Sequence, residues 1–246
     1  DWRICFFIGG GLGLALLLVR IGVAESGMFN QSKGTENRGN FFALFKSSVQ
    51  FWKYTRCIVI GLPLWFVVGI LITLSPEFGV ALHVAGDVSA GAAVACCYAG
   101  LAVGDVTSGL LSQWLKSRIK VVYLYLTLTS IAVCVFFSID GMSVSGFYWL
   151  CGGVGFCVGY WVIFMTIATE QFGTNIRATV TTTVPNFVRG SVVPITLLFH
   201  LFQKIFSGSI IYAGIAVAII CIGLAFLALS KMKDTFSKDL DYTEEF

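Results

Sequence analysis

Residues 209–230 read SIIYAGIAVAIICIGLAFLALS, with no charged side chain from end to end. A helix that crosses a bilayer needs about 20 apolar residues, whereas strands rarely exceed about 8, so this stretch specifies a transmembrane helix. Working outward, comparable apolar runs occupy about 178–202, 147–169, 121–139, 91–112, 57–75 and 4–24. Hydrophobic residues make up 57% of the 246 and charged ones only 12%, against about 25% charged in soluble domains. Mean hydropathy is +0.87. Half the usual charge cannot clothe a water-soluble surface, so the chain is an all-α integral membrane protein with about seven transmembrane helices.

The charges between the runs give its orientation. Arg20, Lys33, Arg38, Lys46, Lys53 and Arg56 fall on one side, followed by Lys116, Arg118, Lys120, Arg177, Lys231, Lys233 and Lys238. The other side holds Arg3 and Lys204. Positively charged loops stay in the cytoplasm. The N-terminus is then outside and the C-terminus cytoplasmic, as an odd number of spans demands, and the protein belongs to a plasma membrane of the bacterial inner-membrane type. The net charge of +3 is distributed by topology, with no compact basic patch for nucleic acid. No signal peptide is visible, and the opening Asp1-Trp2-Arg3 lacks an initiator Met, which points to a piece of a longer chain.

Eight cysteines lie in or beside apolar runs without CxxC spacing and read as small apolar fillers. No hydrolase triad order, HExxH or Walker loop is present, so neither metal, cofactor nor enzyme is expected. Gly9-Gly10-Gly11-x-Gly13 has no preceding strand and is not a dinucleotide loop; with Gly152-Gly153-x-Gly155-x-x-x-Gly159 it forms small-residue stripes that let helices approach closely in lipid. The loop 25–56 becomes amphipathic over Phe41–Arg56, as an interfacial helix does. The tail 231–246 runs from basic to acidic and reads as solvated and disordered.

Charged and polar groups inside apolar runs are functional candidates, because a lipid-facing charge at mid-bilayer costs roughly 2.5–3.5 kcal/mol. Arg189 sits near mid-membrane and shares a helix face with Thr179, Thr182 and Asn186. Pro185 and Pro194 are expected to loosen that helix. Arg189 either contacts an anionic or strongly polar solute or forms a structural pair with a carboxylate. Asp105 is the carboxylate deepest in an apolar run. It either carries a proton or serves as the fixed partner of a basic residue. Trp65, Tyr160 and Trp161 fall away from the interfacial belts and suit a cavity wall or a buried partner. His83 and His200 lie at outer edges and read as interfacial.

Three short stretches carry a resemblance. Arg20-x-x-x-x-Glu25-Ser26 resembles the Arg…Pro-Glu-Ser signature that follows helix six in sugar-porter-like members of the major facilitator superfamily, with Ala24 in place of proline. Gly104-Asp105-x-x-Ser108-Gly109-x-x-Ser112, leading to Lys116-Ser117-Arg118-x-Lys120, resembles the loop motif between helices eight and nine. Gln113, Lys116 and Ser117 depart from it. Glu170-x-Phe172-Gly173-Thr174-x-x-Arg177-Ala178-Thr179 resembles the Glu-x-Phe-Pro-Thr-x-x-Arg-x-Thr signature between helices ten and eleven, with Gly173 for proline.

The resemblance implies helix six (1–24), a central cytoplasmic loop with its interfacial helix (25–56), the C-terminal six-helix bundle of a twelve-helix transporter (57–230) and a cytoplasmic tail (231–246). It implies alternating access, with a small polar or anionic metabolite such as a sugar or organic acid bound between this bundle and an N-terminal half. Arg189, Asn186, Thr182, Tyr160, Trp161 and Trp65 would face that solute, and Asp105 would couple a proton gradient in a symporter. Arg118, Glu170 and Arg177 would form a charge cluster that opens and closes the inner side. The rival from another class is a seven-helix receptor or sensor. Against a retinal protein, 209–230 has no lysine for a Schiff base; against a ligand receptor, the longest loop follows the first helix.

Overall fold

A computed structural model of the protein describes residues 2–20 and 39–244. Glu25, Ser26, Lys33 and Arg38 lie outside the described residues. After α1 (Trp2–Arg20) comes a 3-10 turn (Phe41–Phe45), then α2 (Ser48–Val59), α3 (Leu62–Phe66) leading into a π-helical turn (Val67–Ile72), and α4 (Ser75–Ala81). The longer helices follow: α5 (Ala90–Trp114), α6 (Arg118–Ser138), α7 (Val144–Cys157), α8 (Trp161–Glu170), α9 (Thr174–Gly190), α10 (Val192–Ile205) and α11 (Ile210–Leu229). Among the described residues, seven helical spans are long and apolar enough to cross a membrane: Arg3–Arg20, Ser48–Ile72, Ala90–Trp114, Arg118–Ser138, Val144–Glu170, Thr174–Ile205 and Ile210–Leu229. The chain is an all-helical integral membrane protein.

Helix starts follow local chemistry. The hydroxyls of Ser117, Ser143 and Ser209 accept from the backbone N–H groups of Lys120, Gly146 and Tyr212 and cap α6, α7 and α11. Two spans are built of two helices each. The 144–170 span breaks at Val158–Tyr160, where Gly159 lies between α7 and α8. The 174–205 span breaks at Ser191, three residues before Pro194. Pro185 lies inside α9 without ending it, so of the two prolines expected to loosen this span only Pro194 sits beside a break.

Two aromatic-rich cores hold the bundle. One gathers Phe78, Phe136, Phe147 and Phe199, the other Tyr54, Tyr125, Tyr160, Phe164 and Phe172. Phe78 contacts Phe136 and Phe199 with ring centroids 5.7 and 6.3 Å apart. In lipid such packing, more than burial from water, holds helices together. Among the described residues, α1 contributes none to either core.

The structure adds detail to one sequence expectation and corrects another. The amphipathic stretch before residue 57 is helical from Ser48, and α2 leads into the apolar span Ser48–Ile72. Its preceding turn is anchored by Phe41, whose ring stacks on Phe187 of α9 at 6.1 Å. Tyr54 of α2 donates its hydroxyl to Thr183 Oγ1 at 2.8 Å. The tail, exposed along much of Lys231–Glu244, is not disordered there: its backbone is tied to the α8–α9 corner. Thr174 N–H donates to the Tyr242 carbonyl at 2.7 Å, and Asn175 exchanges two 3.0 Å hydrogen bonds with the Glu244 backbone. The physical reason lies at Gly173. A Cβ there would sit 2.6 Å from Glu244 N, and its N–H donates to Glu244 Oε1 at 3.2 Å. Proline, usual at this position of the signature, would supply the clash and remove the donor.

Gly173→Pro is therefore expected to release the tail. Limited trypsin digestion should then cut at Lys233 and Lys238 several times faster than in the wild type, while the span helices stay protected.

Candidate functional site

Three spans bring the polar mid-span residues together. Thr182, Asn186 and Arg189 stand on one exposed face of α9, held by side chain to backbone bonds that leave the helix intact. Thr182 Oγ1 donates to the Ala178 carbonyl at 2.9 Å, and Asn186 Nδ2 donates to the Thr182 carbonyl at 2.9 Å. Arg189 Nη1 donates to Asn186 Oδ1 at 3.2 Å. Its guanidinium lies 5.4 Å from the ring centroid of Trp161, the first residue of α8. Trp161 in turn meets Trp65 of α3 edge-on at 6.5 Å. The Trp65 indole N–H is buried without a hydrogen-bond partner, and an indole can only donate.

Arg189 makes no ion pair among the described residues. The structural carboxylate partner that the sequence left open is not present there. Tyr160, read with the solute-facing group, lies elsewhere: it is fully buried and donates its hydroxyl to the Ile60 carbonyl at 3.0 Å. It joins the 144–170 span to the 48–72 span. Thr179 is drawn to the chain end of α9, where it donates to the Gly39 carbonyl at 3.1 Å.

Asp105 occupies a place that neither sequence alternative described. Its Oδ1 accepts the Val162 N–H at 3.2 Å, in the first turn of α8. A helix broken inside a membrane leaves unpaired N–H groups and a partial positive charge at its new N-terminus. Asp105 supplies the acceptor from the neighbouring span. It thereby holds the turn that carries Trp161 and, through it, the seat of Arg189.

At the basic end, Arg118 and Glu170 meet: Nη2 to Oε1 is 3.3 Å, with both side chains 13% exposed. Arg118 Nη1 also donates to Ser112 Oγ at 2.8 Å, and its guanidinium lies 5.0 Å from the Phe236 ring of the tail. Arg118 Nε and Glu170 Oε2 are buried without partners. The pair is thus held by one bond where a guanidinium and a carboxylate can make two. Arg177 does not complete the pair. Its Nε donates to the Thr169 and Phe172 carbonyls at 3.2 and 3.1 Å, and its Nη2 to the tail carbonyl of Leu240 at 2.6 Å. It closes the C-terminal end of α8, where a cation suits the dipole.

The tail was the part of this site that sequence reasoning missed. Asp234 accepts from Ser117 Oγ and from Arg118 N–H. Burial raises its carboxyl, but those bonds and the N–H groups of Phe236 and Ile119 outweigh it and hold the carboxyl below its usual range. A carboxylate with a depressed value stabilises the folded state fully above its unfolded value of about 3.9, and that stabilisation is lost as pH falls through the folded value. The contact is therefore at full strength at neutral pH. The signal available in the sequence was Gly173 itself, a departure from proline with no partner assigned.

Glu170→Gln is expected to leave the Arg118 guanidinium buried without its counter-charge, lowering stability by about 1–3 kcal/mol. Thermal unfolding of the solubilised protein checks this. The double variant with Arg118→Gln should fall less than the sum of the two singles, because the two side chains act as one unit.

The Major Facilitator Superfamily sequence model matches residues 1–192. No curated protein and no solved structure gives a significant match. The matched region contains the mid-span group, the broken span with Asp105 and the Arg118–Glu170 pair. It spans most of the chain and sets aside the receptor reading. The chain belongs to the Major Facilitator Superfamily, a family of membrane transporters.

Proposed function

We propose that this protein is the C-terminal part of a secondary transporter that moves a small polar or anionic metabolite, such as a sugar or organic acid, by alternating access. The observation that carries the reading is the meeting of Arg189, Trp161 and Trp65 from three spans. Among the described residues it presents a cation without an ion-pair partner, and beside it a buried indole donor without an acceptor. An unpaired buried donor costs about 1–3 kcal/mol, and a solute bearing oxygen acceptors relieves it. Asn186 and Thr182 extend the same face. The solute would lie between this bundle and an N-terminal half, so both halves are needed for transport.

In this reading the basic end is cytoplasmic, by the charge asymmetry of the loops. The Arg118–Glu170 pair belongs to the inner gate, and its incomplete bonding suits a contact that forms in one state and parts in another. Asp105 is the candidate for proton coupling, through its hold on the first turn of α8. The test is uptake of a metabolite panel by cells expressing the complete gene, with and without a proton gradient. Accumulation of one metabolite class that collapses with the gradient supports the full reading; uptake indifferent to the gradient removes the coupling role of Asp105 alone. No uptake of any polar or anionic metabolite overturns the assignment of substrate class.

A further inference from the structure

Between α2, the α8–α9 corner and the first residues of the tail lies a cavity of about 410 Å³, within the range of sites that hold small ligands. Its wall includes Lys53, Arg56, Lys231, Lys233 and Lys238, against the single carboxylate of Asp234. That carboxylate is occupied elsewhere, by Ser117 and by the N–H groups of Arg118 and Phe236. Lys53 is paired to Glu244 at 2.6 Å. Among the described residues Arg56, Lys231, Lys233 and Lys238 have no ion-pair partner. Burial, and then the proximity of Lys53, hold the Lys238 ammonium below its ordinary value despite Glu244. The cavity is short of negative charge.

A second observation points to the same ligand. Thr235 lines this cavity and is 2% exposed, and its hydroxyl is buried without a hydrogen-bond partner. Hydroxyls so placed normally have one. An anionic oxygen in the cavity would take it.

The rim distinguishes the source of the anion. Val49, Trp52, Lys53 and Arg56 fall at spacings of three, one and three along α2 and so share one face. Val49 and Trp52 are 75% and 54% exposed. Exposed apolar groups beside cations at a membrane surface match an amphiphile: acyl chain against the apolar side chains, headgroup against the cations.

We propose that this cavity binds the phosphate group of an anionic membrane lipid, with Lys231, Lys233 and Lys238 supplying the charge and Thr235 a directed hydrogen bond. The proposal is independent of the transported solute.

The test uses the complete transporter, purified in detergent and examined by native mass spectrometry. The probes are phosphatidylglycerol, phosphatidylcholine and inorganic phosphate. The wild type is expected to retain phosphatidylglycerol in preference to phosphatidylcholine, and inorganic phosphate is expected to compete. The Lys231→Gln/Lys233→Gln/Lys238→Gln variant should lose the tightly held lipid. Thr235→Val keeps every charge and should weaken retention roughly tenfold, with Thr235→Ser restoring it. If Thr235→Val retains lipid as the wild type does, diffuse attraction to basic residues replaces the built site and the proposal fails. Binding of inorganic phosphate with no preference for phosphatidylglycerol overturns the lipid assignment, and binding of neither overturns the site.

Discussion

Arg189→Ala is expected to reduce uptake by the complete transporter roughly tenfold to a hundredfold while leaving its level in the membrane unchanged. A hydrogen bond to a charged group contributes about 1.5–3 kcal/mol, and each 1.4 kcal/mol is tenfold in affinity. The side chain is exposed and, among the described residues, rests on Asn186 and the face of Trp161, so its removal is expected to open no cavity and strand no counter-charge. That separates a loss of binding from a loss of fold. Arg189→Lys keeps the charge and loses the planar fork and its stacking on Trp161, so it should fall between alanine and the wild type. Direct binding of the transported solute to purified protein is the measurement. Wild-type affinity in Arg189→Ala would place the solute elsewhere and leave Arg189 as a surface cation.

The effect reaches further than one contact because of how the site is hung. Arg189 is held by Trp161, and Trp161 begins the half-helix whose first turn Asp105 caps. The Arg118–Glu170 pair and Arg177 stand at the other end of that same half-helix. α8 therefore links the mid-span polar group to the basic end within a rigid element of ten residues. A tilt of α8 moves both. In the alternating access proposed above, α8 would be a two-state element biased from both ends.

Much of this was legible in the sequence, and the reason is physical. Membrane spans must satisfy their own backbone, so apolar length maps directly onto helices. The run 209–230 became α11 within a residue at each end. Arg189, Thr182 and Asn186 were legible because helical spacing alone puts them on one face. What was not legible depended on contacts between distant segments. Tyr160 resembled Trp161 in the sequence, yet it falls in the break between α7 and α8, which turns it into the core and onto the Ile60 carbonyl. Asp105 gave no hint of its partner, because a backbone N–H at a helix break has no letter of its own. The tail read as disordered because its polar residues bind carbonyls and amides exposed at helix ends, which composition does not display.

The close contact between α5 and α7 predicts the largest structural effect. α5 and α7 touch backbone to backbone through glycines on each. A Cβ at Gly100 would lie 1.9 Å from the Gly152 carbonyl oxygen, and one at Gly155 would lie 2.1 Å from that of Cys97. Gly104 and Gly159 continue the contact, with a Cβ on Gly159 falling 2.5 Å from the Gly104 Cα. The facing atoms are backbone, so no rotamer can yield; the helices must separate. Overpacking by one methyl costs typically 1–3 kcal/mol when side chains can shift, and here the upper end or more applies. Gly155→Ala is expected to lower the Tm by roughly 6–12 °C, at about 2–4 °C per kcal/mol for a chain of this size. Gly153→Ala is the matched control. It lies two residues away on the same helix with nothing within 4 Å of its added Cβ, and it should leave the Tm within about a degree. Equal losses in the two variants would show that the effect does not come from the α5–α7 contact, since alanine is otherwise the better helix former. The functional consequence follows from the same geometry: Gly159 and Asp105 meet across this seam, where the Gly159 Cβ would also sit 2.8 Å from Asp105 N. Prising α5 from α7 therefore pulls the Asp105 carboxylate off the first turn of α8. Gly155→Ala protein that survives in the membrane should transport less, whereas Gly153→Ala should transport as the wild type does.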